Sequence, residues 1–363
     1  MILECLEKIL HRNHLTSDEA AAAMEEILSG QATDTQTAAL LVSLSMKGEQ
    51  EEELYGMAVA LRGKTYLFDQ YGTVDVGLSN SERGMLLAST PTPAGSSGTI
   101  GPGSTFNIAS AVAFVVAGAG VRVLQQGHRS SNSDLESGAV LEALGINTRT
   151  PPFKVAQCIA EEGLGFVFEP VIPEAMERLQ FAFREIPIPT VFNLLLPMLN
   201  PGAAPALALG VHSESLTGTV ARVLSRMGVR RAFVFYGSDG LDEITHTGPT
   251  VLAEVKERVV GDRTESQVQV GQIEPGDFGI PAGRLEDLEG GDAKHGAEII
   301  RAVLGGEKGP RRNVVVLNAA PGIVCGGKAG DLSEGVRVAA ESIDSGRALR
   351  VLERLAEFTN RSE

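Results

Sequence analysis

The chain has 363 residues, enough for about two domains, and a formal net charge of −15. So acidic a chain argues against nucleic acid as a partner, because phosphate backbones need basic faces. It leaves open a phosphorylated small substrate, whose site is local. Hydrophobic residues make up 43 %, with 5 % aromatics and no tryptophan, so the cores are aliphatic and rich in alanine. Cys5, Cys158 and Cys325 stand far apart, without metal-ligand spacing. They imply no disulfide framework and a reducing, cytoplasmic compartment. The first fifteen residues carry early charges and do not read as a signal peptide. No run approaches a membrane span.

Residues 2–12, 17–29, 33–47 and 50–61 carry apolar side chains at helical spacing, with a helix start at Ser17–Glu19 and a stop at Gly30. They form a helical subdomain. From Val74 the period changes: residues 74–77 read as a strand, and 77–103 as a long Gly/Ser/Thr/Pro-rich connection broken only by the apolar piece 85–87. A helix at 107–120, a strand at 121–124, a polar loop at 125–134 and helices at 136–144 and 153–162 follow. Further strands are expected at 165–168, 206–211, 231–236 and 313–317. Helices are expected at 173–184, 190–199, 215–227, 294–304, 335–345 and 348–359. Strands that are apolar throughout, alternating with helices, predict an α/β fold with a mainly parallel sheet.

Ligands of open α/β sheets bind at the carboxyl ends of strands. The loops 77–105, 125–134, 237–250 and 318–330 are therefore the candidates. Residues 95–110, GSSGTIGPGSTFNIAS, place a glycine-rich loop before a helix, a setting for phosphate; without lysine it is not a nucleotide-triphosphate P-loop. Asp242 and Glu243 are adjacent carboxylates that suit Mg²⁺, although their spacing alone reads more readily as an acidic turn. Arg129 is a phosphate clamp or part of a solvated loop. His246 reads as a polar loop residue, and Asn318 as the cap of a strand end. No Ser-His-Asp, Cys-His or zinc arrangement is present in the sequence. What is left is phosphate-and-magnesium chemistry, run by positioning and electrostatics.

The order of motifs resembles the anthranilate phosphoribosyltransferase family over nearly the whole chain. TFNIASA, GHRS…VLEALGIN, GFVFEP, TVFNLLLPMLNP, DGLDEIT, PGDFGI, GGD and VVVLNAA carry the resemblance, with the N-terminal helices from CLEKIL to EEEL. It implies a small helical domain (1–66, completed by about 172–200) on an α/β phosphoribosyltransferase-like domain (67–171 and 201–363). That is the nucleoside phosphorylase/phosphoribosyltransferase-like architecture. A homodimer through the helical part is implied as well. The implied reaction moves a phosphoribosyl group from phosphoribosyl pyrophosphate (PRPP) to anthranilate or a related aromatic amine, with Mg²⁺ on the pyrophosphate. PRPP then falls to Gly98, Thr99, Gly101, Gly103, Thr105, Asn107, Ser110, Arg129, Ser131 and Ser133. The acceptor falls to His128, Phe183 and Arg184, and the metal to Asp242 and Glu243.

The departures from the family pattern gather at the same place. The phosphate loop is matched by either 77–81 or 98–103, with the rest of 77–104 as an insertion. Ala109 stands where the family has a serine, Gln125 where it has a lysine, His128 for an asparagine and Phe183 for an arginine. These changes remove cations and donors, so a catalytically silent or re-purposed paralogue, binding a ligand or a protein, is the alternative reading. A nucleoside phosphorylase of related architecture is a third.

Overall fold

The structure, a computed structural model, describes residues 1–64, 105–126, 137–168, 185–186, 188–199, 204–260 and 263–361, and the backbone of a strand at 84–89. Helices α1 (Ile2–Leu10), α2 (Ser17–Ser29), α3 (Asp34–Lys47) and α4 (Glu51–Arg62) open the chain. Their ends are set locally. Thr16 and Glu19 form a reciprocal capping box at α2, Thr33 and Gln36 another at α3, and Gly30 closes α2 at φ 74°.

The α/β part runs β1 (Gly84–Ser89), α5 (Ile108–Gly118), β2 (Arg122–Gln126), α6 (Ser137–Ala143), α7 (Pro152–Glu162), β3 (Leu164–Val167) and α8 (Val191–Met198). Next come β4 (Ala206–Gly210), α9 (Glu214–Arg226), β5 (Arg231–Gly237), β6 (Thr250–Val260) and β7 (Arg263–Ile273). Four helices close the chain: α10 (Ala293–Leu304), α11 (Pro310–Cys325), α12 (Leu332–Asp344) and α13 (Arg347–Asn360). Among the described residues there is one sheet, ordered β3-β2-β1-β4-β5-β6-β7. The first five strands are parallel, and β6 and β7 join as an antiparallel pair.

The pleat divides the core in two. Leu207, Leu209 and Val234 face α1–α4, α8 and α9, while Ala206, Ala208, Phe233 and Phe235 face α5 and α10–α13. Helix α5 is apolar apart from Ser110 and buried from Ile108 to Gly118 except Ala109, as a helix between a sheet and an outer helical layer must be. On the other face α8 packs against α3 and α4. Arg222 and Arg226 of α9 pair with Glu51 and Glu52 of α4, and Arg226 also lies 3.9 Å from the Tyr55 ring centre.

Three expectations change. The strand expected at 313–317 is the first half of α11. Pro310 occupies the first helical turn, where its missing N–H costs nothing, and the apolar run continues buried to Cys325. A valine run buried all round has no readable period, and here tertiary burial overrides β-propensity. Asn318 therefore lies inside a helix, and 318–325 is not a loop. The piece at 85–87 is no interruption of a connection but part of β1, the strand that pairs with both β2 and β4. The sequence reading also leaves the β6–β7 pair unassigned, although 250–260 and 263–273 have a partial two-residue alternation. The strand expected at 74–77 and the helix at 173–184 lie outside the described residues. All three cysteines are free and buried, and burial pushes the thiols up to about 11 (Cys5) and about 12 (Cys158, Cys325).

Candidate active site at the carboxyl edge of the sheet

The connection from β5 to β6 turns over the carboxyl edge of the parallel strands. Asp239 organises it. Its carboxylate accepts hydrogen bonds from the hydroxyls of Thr245 and Thr247 and from the backbone N–H of Leu241. The backbone of Asp242 lies directly on Gly210, the last residue of β4. A Cβ at that glycine would sit 1.6 Å from the Asp242 carbonyl oxygen, so no other residue admits this approach. Asn318 holds both backbone groups of Ile244, two residues further on. The Ile244 N–H donates to Asn318 Oδ1 at 2.7 Å, and Asn318 Nδ2 donates to the Ile244 carbonyl at 2.8 Å.

Asp242 and Glu243 are thereby fixed side by side and half-buried. Glu243 titrates well above the usual carboxylate range. Desolvation is the main cause, followed by the charges of Asp242 and Asp239 and a hydrogen bond shared with Asp242. A pair of crowded, desolvated carboxylates is a donor set that a divalent cation relieves, and oxygen ligands alone suit Mg²⁺. Among the described residues no group of three or more His, Cys, Asp or Glu side chains is arranged to hold a metal. Mg²⁺ asks for no such cage, since one or two carboxylates, waters and substrate phosphates complete its shell. The residues present therefore fit the ion.

His246 lies in the loop, as the sequence suggests, but not at its surface. It is fully buried, with neither ring nitrogen hydrogen-bonded. It packs on Gly283, where a Cβ would lie 2.2 Å from Nε2. Burial lowers its basicity, opposed by the nearby charges of Asp287 and Asp239.

The second wall of the edge is the start of α5. Because β1 and β2 are parallel and α5 connects them, α5 begins at the carboxyl edge. Asn107 caps it, accepting from the Ser110 N–H at 3.0 Å. The preceding residues are tied down as well: Thr105 bridges Glu289, and the Phe106 N–H donates to the Leu288 carbonyl. Ser110 is completely buried and its hydroxyl has no partner among the described residues. At the end of β2, Gln125 is 4 % exposed, and the Oε1 atoms of Gln125 and Gln126 are also unpartnered. His212, two residues beyond β4, has an unpartnered Nδ1, and burial lowers its basicity.

Of the residues expected to act, Thr105, Asn107, Ser110, Asp242 and Glu243 are described, and the topology brings all five to this one edge. Gly98, Thr99, Gly101, Gly103, His128, Arg129, Ser131, Ser133, Phe183 and Arg184 lie outside the described residues. Sequence reasoning missed the part played by Asn318, whose one signal was a polar residue inside an apolar run. It also missed His212, a histidine just past a buried strand.

The chain matches two family models: the glycosyl transferase family helical bundle domain over residues 3–65 and the glycosyl transferase family a/b domain over residues 94–349. Anthranilate phosphoribosyltransferase of Geobacter sulfurreducens is 44 % identical, over 99 % of this chain and 100 % of its own length. The enzyme of Syntrophotalea carbinolica is 41 % identical, over 99 % of both. Among solved structures, the anthranilate phosphoribosyltransferase of Thermus thermophilus superposes with a TM-score of 0.82 at 32 % identity, covering 98 % of this chain and 99 % of that one. The Saccharomyces cerevisiae enzyme in complex with PRPP and Mg shares the fold, with a TM-score of 0.77 at 24 % identity, covering 99 % and 97 %.

Proposed function

The chain belongs to the anthranilate phosphoribosyltransferase family, and on that premise we propose that it transfers the phosphoribosyl group of PRPP to anthranilate. Such a step serves tryptophan biosynthesis. The C1–O bond to pyrophosphate breaks, the amine nitrogen forms the new C1–N bond and loses a proton, and C1 carries positive charge in between. No protein nucleophile is needed. The observation that carries the reading in this structure is the Asp242–Glu243 pair, held beside the end of β4 by Gly210 on one side and Asn318 on the other.

In this reading Asp242 and Glu243 hold Mg²⁺, which neutralises the departing pyrophosphate when bound. The first turn of α5 offers its backbone N–H groups to phosphate. Thr105, Asn107 and Ser110 line that wall, and Gly98, Thr99, Gly101, Gly103, Arg129, Ser131 and Ser133 complete the PRPP side. His128, Phe183 and Arg184 line the acceptor side. We also place the enzyme in the cytoplasm as a homodimer joined through the helical part (1–66 with about 172–200). Leu3 and Leu10, seven residues apart on α1, and Met46 on the adjoining α3 are exposed at 63 %, 73 % and 75 %, an apolar set that a second copy would cover. No helix among the described residues is long and apolar enough to cross a membrane.

The test is loss of anthranilate with PRPP and Mg²⁺ present, alongside calorimetry of PRPP binding. Turnover that needs all three components supports the reading and excludes a silent paralogue. Neither heat nor turnover at millimolar PRPP overturns it. Sedimentation velocity that shows only monomer overturns the dimer.

A further inference from the structure

We infer that Asn318 is a positioning residue that holds the acidic loop in its metal-binding form through a two-way clasp on the Ile244 peptide. The inference rests on the reading of Asp242 and Glu243 given above. Asn318 acts through backbone. It accepts from the Ile244 N–H at 2.7 Å and donates to the Ile244 carbonyl at 2.8 Å, with a further bond to the Val314 carbonyl at 2.9 Å in its own helix. Ile244 and Asn318 are both buried, so no water replaces these partners if the side chain is removed.

The clasp fixes the backbone of a loop that turns over the edge of the sheet. Asp239 is tied to Leu241, Thr245 and Thr247, and between these anchors the backbone that carries Asp242 and Glu243 is fastened at Ile244. Gly210 stops the Asp242 peptide from one side, but a stop is not an attachment. Asn318 supplies the attachment, one residue beyond Glu243. It comes from α11, which packs directly on β4, β5 and α5 and is therefore registered to the whole edge.

The experiment measures Mn²⁺, used in place of Mg²⁺, binding to the full-length protein with PRPP present, read by electron paramagnetic resonance, together with the melting temperature. Asn318→Ala is compared with Ser342→Ala, which removes another buried side-chain bond to backbone, from Ser342 Oγ to the Val115 carbonyl in α5. Loss of a group that orients a metal ligand typically weakens metal binding about 10–100-fold. Asn318→Ala is expected to weaken Mn²⁺ by about tenfold or more, and Ser342→Ala to leave it unchanged while lowering the melting temperature. If Asn318→Ala does not accumulate folded, Asn318→Ser, which keeps a hydroxyl at the site, is read in the same way. Mn²⁺ binding within twofold of the unaltered protein overturns this inference alone. No Mn²⁺ binding by the unaltered protein overturns the metal reading, and this inference with it.

Discussion

The two walls of the carboxyl edge are built on opposite plans. In the acidic loop, Asp239 is saturated by Thr245, Thr247 and Leu241, and Ile244 is clasped by Asn318. At the start of α5 and the end of β2, Ser110, Gln125 and Gln126 carry buried polar atoms with no partner among the described residues. An unpartnered buried polar atom costs about 1–3 kcal/mol, so a fold that tolerates several in one place leaves them for something else to satisfy. One wall is a frame, in which the His246 ring is the exception, and the other a receiving surface. Carboxylates that repel each other need rigid backbone around them, whereas a substrate wall needs polar groups left uncommitted.

The largest effect expected is at the frame's purpose. Asp242→Asn removes a ligand charge and should lower Mg²⁺-dependent turnover by about a hundredfold or more, with little change in melting temperature of metal-free protein. Steady-state rates across a Mg²⁺ titration check it. Next comes the frame itself. Thr245→Val deletes a buried hydroxyl that bonds Asp239 and accepts from the Thr247 N–H. It should cost about 1–3 kcal/mol in chemical denaturation. A loss near zero would break the comparison.

Gln125→Leu should do the reverse. Removing a buried carboxamide whose Oε1 has no partner among the described residues leaves stability equal or higher, while KM for PRPP rises by roughly tenfold, the worth of about one hydrogen bond. A stability loss like that of Thr245→Val would erase the difference between the walls.

The smallest effect is a pH dependence. The folded-state value of Glu243 is raised, so its protonated form favours the fold. That contribution is complete below the unfolded value and is lost as pH rises through the folded one. Glu243→Gln should therefore raise the melting temperature of metal-free protein at pH 8 more than at pH 5. Added Mg²⁺ should stabilise the unaltered protein and not the variant.

Much of this molecule was legible from local chemistry. Capping residues at Thr16 and Thr33, the αL glycine at Gly30 and helical spacing through residue 62 are short-range signals, and they placed α1–α4 to within a few residues. Strands β4 and β5 were legible because an unbroken apolar run of five or six residues flanked by helices has few other uses. Asp242 and Glu243 were visible as adjacent carboxylates after a strand. The helix at 310–325 was not, since a valine run buried on all sides looks alike as strand or helix until its neighbours are known.

By itself the sequence determined which segments are helix or strand wherever caps and one-sided burial set them, and the order of motifs that reveals the family. Tertiary structure decided what those motifs are made to do. Gly210 was one glycine among 42 until Asp242 lay upon it. His246 became a fully buried ring without partners, and Asn318 came to hold a peptide 74 positions away. Hydrogen bonds and close approaches of that range depend on where sheet and helices stack, which no local spacing encodes.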